Sequence, residues 1–247
     1  MPRPIALITG ANQGIGRATA ESLASTHNYH VIIGSRNASA GELVASTLRA
    51  AGHAASSLQL DLTSEESIQS AVATIEHDFG HLDVLINNAA ILIDVDKALT
   101  PWERYARTFT TNVVGTAVLT ELLVPLLRRA RARGGLPRVV FLSSRMGSLH
   151  TAMDKSTNFY AIDYKAYDAS KAAVNMLMLN FARVLEEDGG VAKVNSVCPG
   201  YVSSNLTRYT EYGATVEEGA RRVVQMATLG EDGPTRTFSD LQGEIPW

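Results

Sequence analysis

Near its start the chain reads Ile5-Ala-Leu-Ile-Thr9 and then Gly10-Ala-Asn-Gln-Gly14-Ile-Gly16. A short apolar, strand-forming run passes directly into a turn made permissive by glycine, and an amphipathic helical pattern follows. That order constrains the fold strongly. A strand delivering such a turn to a helix N-terminus aims unpaired N–H groups and the positive end of a helix dipole at one spot, an arrangement that suits the phosphates of a dinucleotide. Gly10 permits the tight turn, while Gly14 and Gly16 let backbone and helix come close to a pyrophosphate. A bare glycine motif is weak evidence; its position after the first strand and before a helix gives it weight.

The rest of the chain repeats the alternation. Strand-length apolar runs fall at 5–9, 29–34, 56–60, 84–87, 138–142, 193–197 and 237–238, and helical patterns at 14–25, 40–51, 64–79, 101–132, 164–187 and 216–228. This predicts an α/β fold: a doubly wound, mainly parallel seven-stranded sheet of Rossmann type with helices on both faces. No repeat, low-complexity tract or linker interrupts it, so residues 1–247 are expected to form one domain. Thr63-Ser-Glu-Glu66, Thr100-Pro-Trp-Glu103 and Thr215-Val-Glu-Glu218 each match a capping box. Pro101 suits a first helical position, and Pro125 is expected to kink or end its helix.

Composition closes off several function classes. A net charge of -3 gives no reason to expect nucleic acid, and Arg128-Arg129-Ala-Arg131-Ala-Arg133 reads as cations at a helix C-terminus. The one cysteine, Cys198, forbids an internal disulfide and is expected to be a buried small residue. Met1-Pro-Arg-Pro leads straight into a strand with no signal-peptide pattern, and the apolar stretch near 117–127, interrupted by Glu121 and Pro125, is too short to span a bilayer. A cytoplasmic location without a membrane partner is the expectation. His77 and His81 are separated by Gly80 at a helix end, the other histidines stand alone, and no metal site is expected.

Far downstream lies Tyr167-Asp-Ala-Ser-Lys171. Tyr and Lys four apart share a helical face, and in most proteins that pairing is only a solvated stripe. A nearby ammonium also favours a phenolate and lowers a tyrosine pKa from about 10, so Lys171 is expected to depress that of Tyr167. Tyr160 and Tyr164 lack a lysine four residues on. Ser144 ends the run Val139-Val-Phe-Leu142-Ser143-Ser144 at a C-terminal sheet edge, where ligands bind in such folds, although a Ser pair after a strand is often just a cap.

With the glycine turn, these residues resemble the short-chain dehydrogenase/reductase family, carbonyl reductases in particular, from Ile5 to the last residue. The resemblance implies carbonyl–alcohol hydride transfer on a small molecule, with Tyr167 as acid, Ser144 polarising the carbonyl, Lys171 tuning the tyrosine and bonding the nicotinamide ribose, and Asn112 holding a water that serves Lys171. Ser143-Ser-Arg-Met-Gly147 fits the family's Ser-x-x-Gly pattern. The cofactor is expected to contact Gly10, Asn12, Gln13, Gly14, Ile15 and Gly16, then Asn88 and Ala89, where Ala90 replaces a usual glycine. Pro199, Gly200 and Val202 resemble the loop facing the nicotinamide, followed by Ser204, with Ser203 a near alternative.

An NAD-binding chain carries an acid about 20 residues beyond the glycines. Here Ser35, Arg36 and Asn37 occupy that region, so NADP(H) is expected over NAD(H), against one contrary detail: Gln13 stands where many NADP-preferring relatives have a cation. Asp61 and Leu62 match the family's adenine contact, while Asp61 also reads as a turn acid before a helix. The segment between Ser144 and Tyr167 is expected to be a polar loop, shorter than the insertion of monomeric carbonyl reductases, which leaves monomer, dimer and tetramer open. The alternative function is a cofactor-sensing regulator or a non-redox member of the fold.

Overall fold

In the computed structural model, which describes residues 3–187 and 191–247, the side chains of β1 (Ile5–Thr9) alternate between two cores. Ile5 and Leu7 join one apolar cluster, Ala6 and Ile8 the other. Strand pleating requires this of a sheet covered on both sides, and each fully buried Leu or Ile contributes about 1.5–3 kcal/mol. Met1 and Pro2, read from sequence as leading straight into β1, lie outside the described residues.

The remaining elements follow in order: α1 (Gly14–Ser25), β2 (His30–Ser35), α2 (Ala38–Ala50), β3 (Ala55–Gln59), α3 (Glu65–Phe79), β4 (Val84–Asn87) and α4 (Pro101–Phe109). A six-residue π-helical segment, Thr110–Gly115, leads into α5 (Thr116–Ala132), then β5 (Arg138–Leu142), α6 (Leu149–Met153), α7 (Lys165–Glu186) and β6 (Lys193–Val197). The chain closes with α8 (Val216–Ala227), β7 (Phe238–Asp240) and β8 (Gly243–Glu244). Helices α3, α5 and α7 cover one face of the sheet through residues such as Ile75, Leu123 and Met178. Helices α1, α2 and α8 cover the other through Leu23, Val44 and Val223.

Strand order is β3-β2-β1-β4-β5-β6-β7-β8, with every pair parallel except β7·β8. The order reverses between β1 and β4, and the crevice beyond their carboxyl ends is where such folds bind ligands. Thr9 and Asn88 stitch the two strand ends together: the Thr9 hydroxyl accepts from the Asn88 and Ala89 amides at 3.0 and 2.9 Å, and Asn88 Nδ2 donates to the Thr9 carbonyl at 2.7 Å.

Four local expectations need correction. The sheet has eight strands, not seven, because Ile245 N–H bonds the Phe238 carbonyl at 2.7 Å and folds back a two-residue strand too short to carry a pattern. The cap of α3 is Ser64, not Thr63, because the Thr63 hydroxyl donates to Asp61 Oδ1 at 2.7 Å and the Ser64 hydroxyl accepts the Ser67 N–H at 3.1 Å. Pro125 does not end α5, which runs on to Ala132. Buried Leu119, Leu123, Leu126 and Leu127 hold that helix together, and the carbonyl freed by the proline belongs to exposed Glu121. The run 110–116 is π-helical in its first six residues instead of continuing the α-helix, because Asn112 hooks the loop after β4 and Gly115 rides on Leu62.

The capping boxes at Thr100 and Thr215 form in full. Taken as one helical run, 101–132 is long and apolar enough to cross a membrane, contrary to the shorter stretch read from sequence, but half of its most apolar window is buried within this fold.

Candidate active site

The glycine turn forms one wall of a cleft of about 420 Å³. Gly10 and Gly14 adopt φ of 64° and 57°, the left-handed region that glycine enters without penalty. A Cβ on Gly16 would lie 2.5 Å from Asn88 Nδ2 and 2.7 Å from the Gly10 carbonyl, so only glycine lets α1 start this close to the loop after β4. Gln13, the N-cap of α1, makes no side-chain capping bond, so the first-turn amides stay free to receive an anion. This cradle fits a dinucleotide pyrophosphate.

Gly10, Asn12, Gln13, Gly14, Ile15, Arg36, Asp61, Leu62, Asn88, Ala89, Pro199 and Ser204 line the cleft together with Tyr167 and Lys171. Other sequence-picked residues stand behind it. Ser35 is buried and donates its hydroxyl to the Asn37 carbonyl at 2.8 Å, while Asn37 caps α2 by accepting from the Ala40 N–H at 3.0 Å. At the end of β2, then, it is the exposed guanidinium of Arg36 that faces the cleft. Gly200 takes φ of 83° in open space, and Val202 is buried in a bridge to Ala214. Asp61 combines its two sequence readings: it lines the cleft, and its Oδ1 accepts the Thr63 N–H at 2.9 Å in the turn before α3.

Deeper in, β5 delivers Ser143 and Ser144 against α7. Ser143 donates to the Lys171 carbonyl at 3.3 Å, a structural role, and Lys171 Nζ donates to the Leu142 carbonyl at 2.7 Å. A Cβ on Gly147 would meet the Lys171 backbone at 2.6 Å, so the glycine of Ser-x-x-Gly is what lets this turn press on α7. Ser144 Oγ accepts the Met146 N–H at 3.2 Å, and its hydroxyl is the neighbour that favours the Tyr167 phenolate. Asn112 bonds Ile91 through both ends of its amide, at 2.8 and 3.0 Å, and donates to the Ser170 hydroxyl at 3.0 Å. Both of its donors are therefore engaged. Tyr160 and Tyr164 do not line the cleft.

The expected depression of the tyrosine pKa does not appear. Burial pushes the Tyr167 phenol up, the nearby Cys198 and Asp168 push the same way, and only the Ser144 hydroxyl opposes them. Lys171 Nζ lies 5.4 Å from the ring centroid, committed to Leu142, and its own burial lowers its pKa to about 8. Burial disfavours the charged form of each group, yet Lys171 keeps its proton below pH about 8. Cys198 is buried, as expected, with its thiol pushed up by burial and its Sγ accepting the Arg145 N–H at 3.3 Å.

These directions set the pH dependence of stability. Above pH about 8 the folded chain has released the Lys171 proton while the unfolded chain keeps it up to its ordinary value of 10.5. Stability therefore rises with pH across that window. The phenol acts oppositely: above its ordinary value of 10.0 the unfolded chain loses a proton that the folded chain retains, and stability falls. Urea unfolding across this range is expected to show the Lys171 rise in the wild type and not in Lys171→Met. An identical pH profile in the two proteins would refute the lowering of the Lys171 pKa in the folded chain.

The segment 145–163 is not the plain loop expected. It holds a 3₁₀ turn, Arg145–Gly147, and then α6, capped by Ser148, whose hydroxyl accepts the Thr151 N–H at 3.0 Å and donates to the Pro246 carbonyl at 2.7 Å. Arg145 pairs with Asp240 at 2.5 Å. Sequence reasoning also missed Thr9, Asp94 and Arg208. Thr9 closes the strand end, Asp94 accepts from the Ala166 and Tyr167 amides, and Arg208 lines the cleft from a left-handed conformation, φ 54°. None sits in a motif. The partners of Thr9 and Asp94 lie more than 70 residues away in sequence.

Comparison with known proteins agrees with this geometry. Residues 4–213 match the model of the family described as short chain dehydrogenase. The chain is 35% identical to short-chain dehydrogenase anuI of Penicillium roqueforti over 97% of its length and 93% of that protein. It is 28% identical to carbonyl reductase [NADPH] 1 of Mus musculus over 99% of each chain. The NADPH-bound carbonyl reductase from chicken fatty liver superposes with a TM-score of 0.85 over the whole of both chains at 23% identity, a likeness of fold.

Proposed function

The chain belongs to the short-chain dehydrogenase family, and from that premise we propose that it is an NADPH-dependent reductase converting a small-molecule ketone, aldehyde or quinone to an alcohol, with Tyr167 as general acid. One observation carries this reading: a buried phenol stands on the wall of a dinucleotide-shaped cleft, one helical turn from the Lys171 side chain that lines the same cleft. Reduction needs a proton donor that is protonated at neutral pH, which a phenol is.

The cofactor, when bound, supplies a hydride to the carbonyl carbon. Ser144 then donates a hydrogen bond to the substrate oxygen, and Tyr167 gives that oxygen its proton as charge develops there. Lys171, one turn along α7, limits the cost of the phenolate left behind. The likeness to a carbonyl reductase whose name specifies NADPH, the absence of an acid at 35–37 and the exposed Arg36 support NADP(H) over NAD(H). A single buried, unpaired cysteine is consistent with the cytoplasm.

The test is loss of NADPH absorbance with ketones, aldehydes and quinones, run beside NADH. Turnover with NADPH is expected. Tight binding without turnover on any carbonyl would move the chain to cofactor sensing or non-redox chemistry. Arg36→Ala is expected to weaken NADPH binding about 10- to 100-fold, the worth of a charge-assisted hydrogen bond, and to leave NADH binding almost unchanged. Equal weakening of both in a fluorescence titration would remove Arg36 from the 2′-phosphate.

A further inference from the structure

Tyr167 is gripped through its own backbone. Its N–H donates to Asp94 Oδ2 at 3.2 Å, and the preceding amide, of Ala166, donates to Asp94 Oδ1 at 2.8 Å. On the other side, the Tyr167 carbonyl accepts the Ser170 hydroxyl at 2.6 Å, and that hydroxyl accepts from Asn112 Nδ2 at 3.0 Å. Asn112 in turn holds Ile91 by both amide ends. Ile91 and Asp94 belong to one loop, the loop after β4, whose residues 88–93 form part of the cleft wall.

Helix α7 does not cap itself. Its N-cap, Tyr164, offers no side-chain bond, and the carboxylate that serves its first turn comes from 72 residues earlier in the chain. A cap needed only for stability can come from any neighbouring polar residue and bond any early amide. Here one carboxylate oxygen lands on the amide of the acid itself, and the second tie from the same loop lands on the carbonyl of that residue. The loop is anchored in turn, since Arg104 Nη1 donates to the Asp94 carbonyl at 3.3 Å.

We propose that Asp94 is a positioning residue for Tyr167: its carboxylate couples the cofactor-side loop to the first turn of α7, so the phenol is set relative to the cleft by that loop. The proposal rests on Tyr167 being the acid. Misplacing a reacting group by about 1 Å can cost about 100-fold in rate, so the coupling matters even though Asp94 touches no reacting atom.

The experiment compares wild type, Asp94→Ala, Asp94→Asn and Tyr167→Phe for melting temperature, NADPH affinity by fluorescence, and kcat per NADPH-binding site. Asp94→Ala is expected to lower kcat about 10- to 100-fold with little change in NADPH affinity or substrate KM. Asp94→Asn keeps one acceptor oxygen and is expected to recover part of the loss. Lower melting temperatures with kcat per binding site intact would reduce Asp94 to an ordinary cap and overturn the proposal. Should the Ala variant not fold, the Asn variant decides in the same way: a reduced kcat supports positioning, an unchanged one refutes it. Turnover surviving in Tyr167→Phe would overturn the acid assignment and this proposal with it. Loss there beside an intact Asp94→Ala kcat would overturn the proposal alone.

Discussion

Tyr167→Phe is expected to lower carbonyl turnover by about 10²- to 10⁴-fold, the usual contribution of a general acid, while NADPH binding persists. The substitution removes one oxygen and keeps the ring packed where it is. The Ser144 hydroxyl keeps its bond from the Met146 N–H, so little stability is lost. The loss should therefore appear in kcat, at every pH where the wild type is active. A residual rate tied to pH about 8 would identify Lys171 as a substitute donor, since its pKa lies there and it lines the same cleft. Wild-type turnover in the variant would remove Tyr167 from the chemistry.

Much of the fold was legible because it is written in local pattern. The alternation of apolar runs located β1 through β6 to within a residue at each end, and two capping boxes located α4 and α8. What failed were places where a competing or a distant partner decides. Ser64 displaced Thr63 as a cap because Asp61 claimed the threonine hydroxyl, a competition within four residues that no capping pattern resolves. The π-helical turn after α4 answers to Ile91 and Leu62, neither of which is near it in sequence.

The candidate site divides the same way. The glycine turn, Ser144, Tyr167 and Lys171 could be picked out because each stands in a spaced motif. Asp94 could not, because a single aspartate in a loop announces nothing until α7 is packed against it. The sign of the tyrosine shift was misjudged for a related reason. Sequence spacing shows that an ammonium is one turn away, but not that burial outweighs it or that it donates to the Leu142 carbonyl.

Gly115→Ala is expected to lower the melting temperature, by roughly 2–4 °C for each kcal/mol of net destabilisation in a chain of this length, and to weaken NADPH binding as well. Two effects compete. Alanine is favoured over glycine inside a helix by about 1 kcal/mol. Against that, a Cβ at 115 would lie 2.0 Å from the Leu62 carbonyl oxygen and 2.7 Å from the Leu62 Cβ. The first of these is backbone at the end of the third strand's loop, which cannot rotate aside, and overpacking of this kind costs about 1–3 kcal/mol or more. The clash wins. Relief requires either the π-helical segment or Leu62 to move, and the two carry Asn112 and a wall of the cofactor cleft respectively. Stability and cofactor affinity should therefore fall together. Gly230→Ala, where an added Cβ meets nothing within 4 Å, is the control and is expected to leave both unchanged. An unchanged or higher melting temperature for Gly115→Ala would mean that the helix does not press on Leu62, and would detach the π-helical turn from the cleft it is argued to shape.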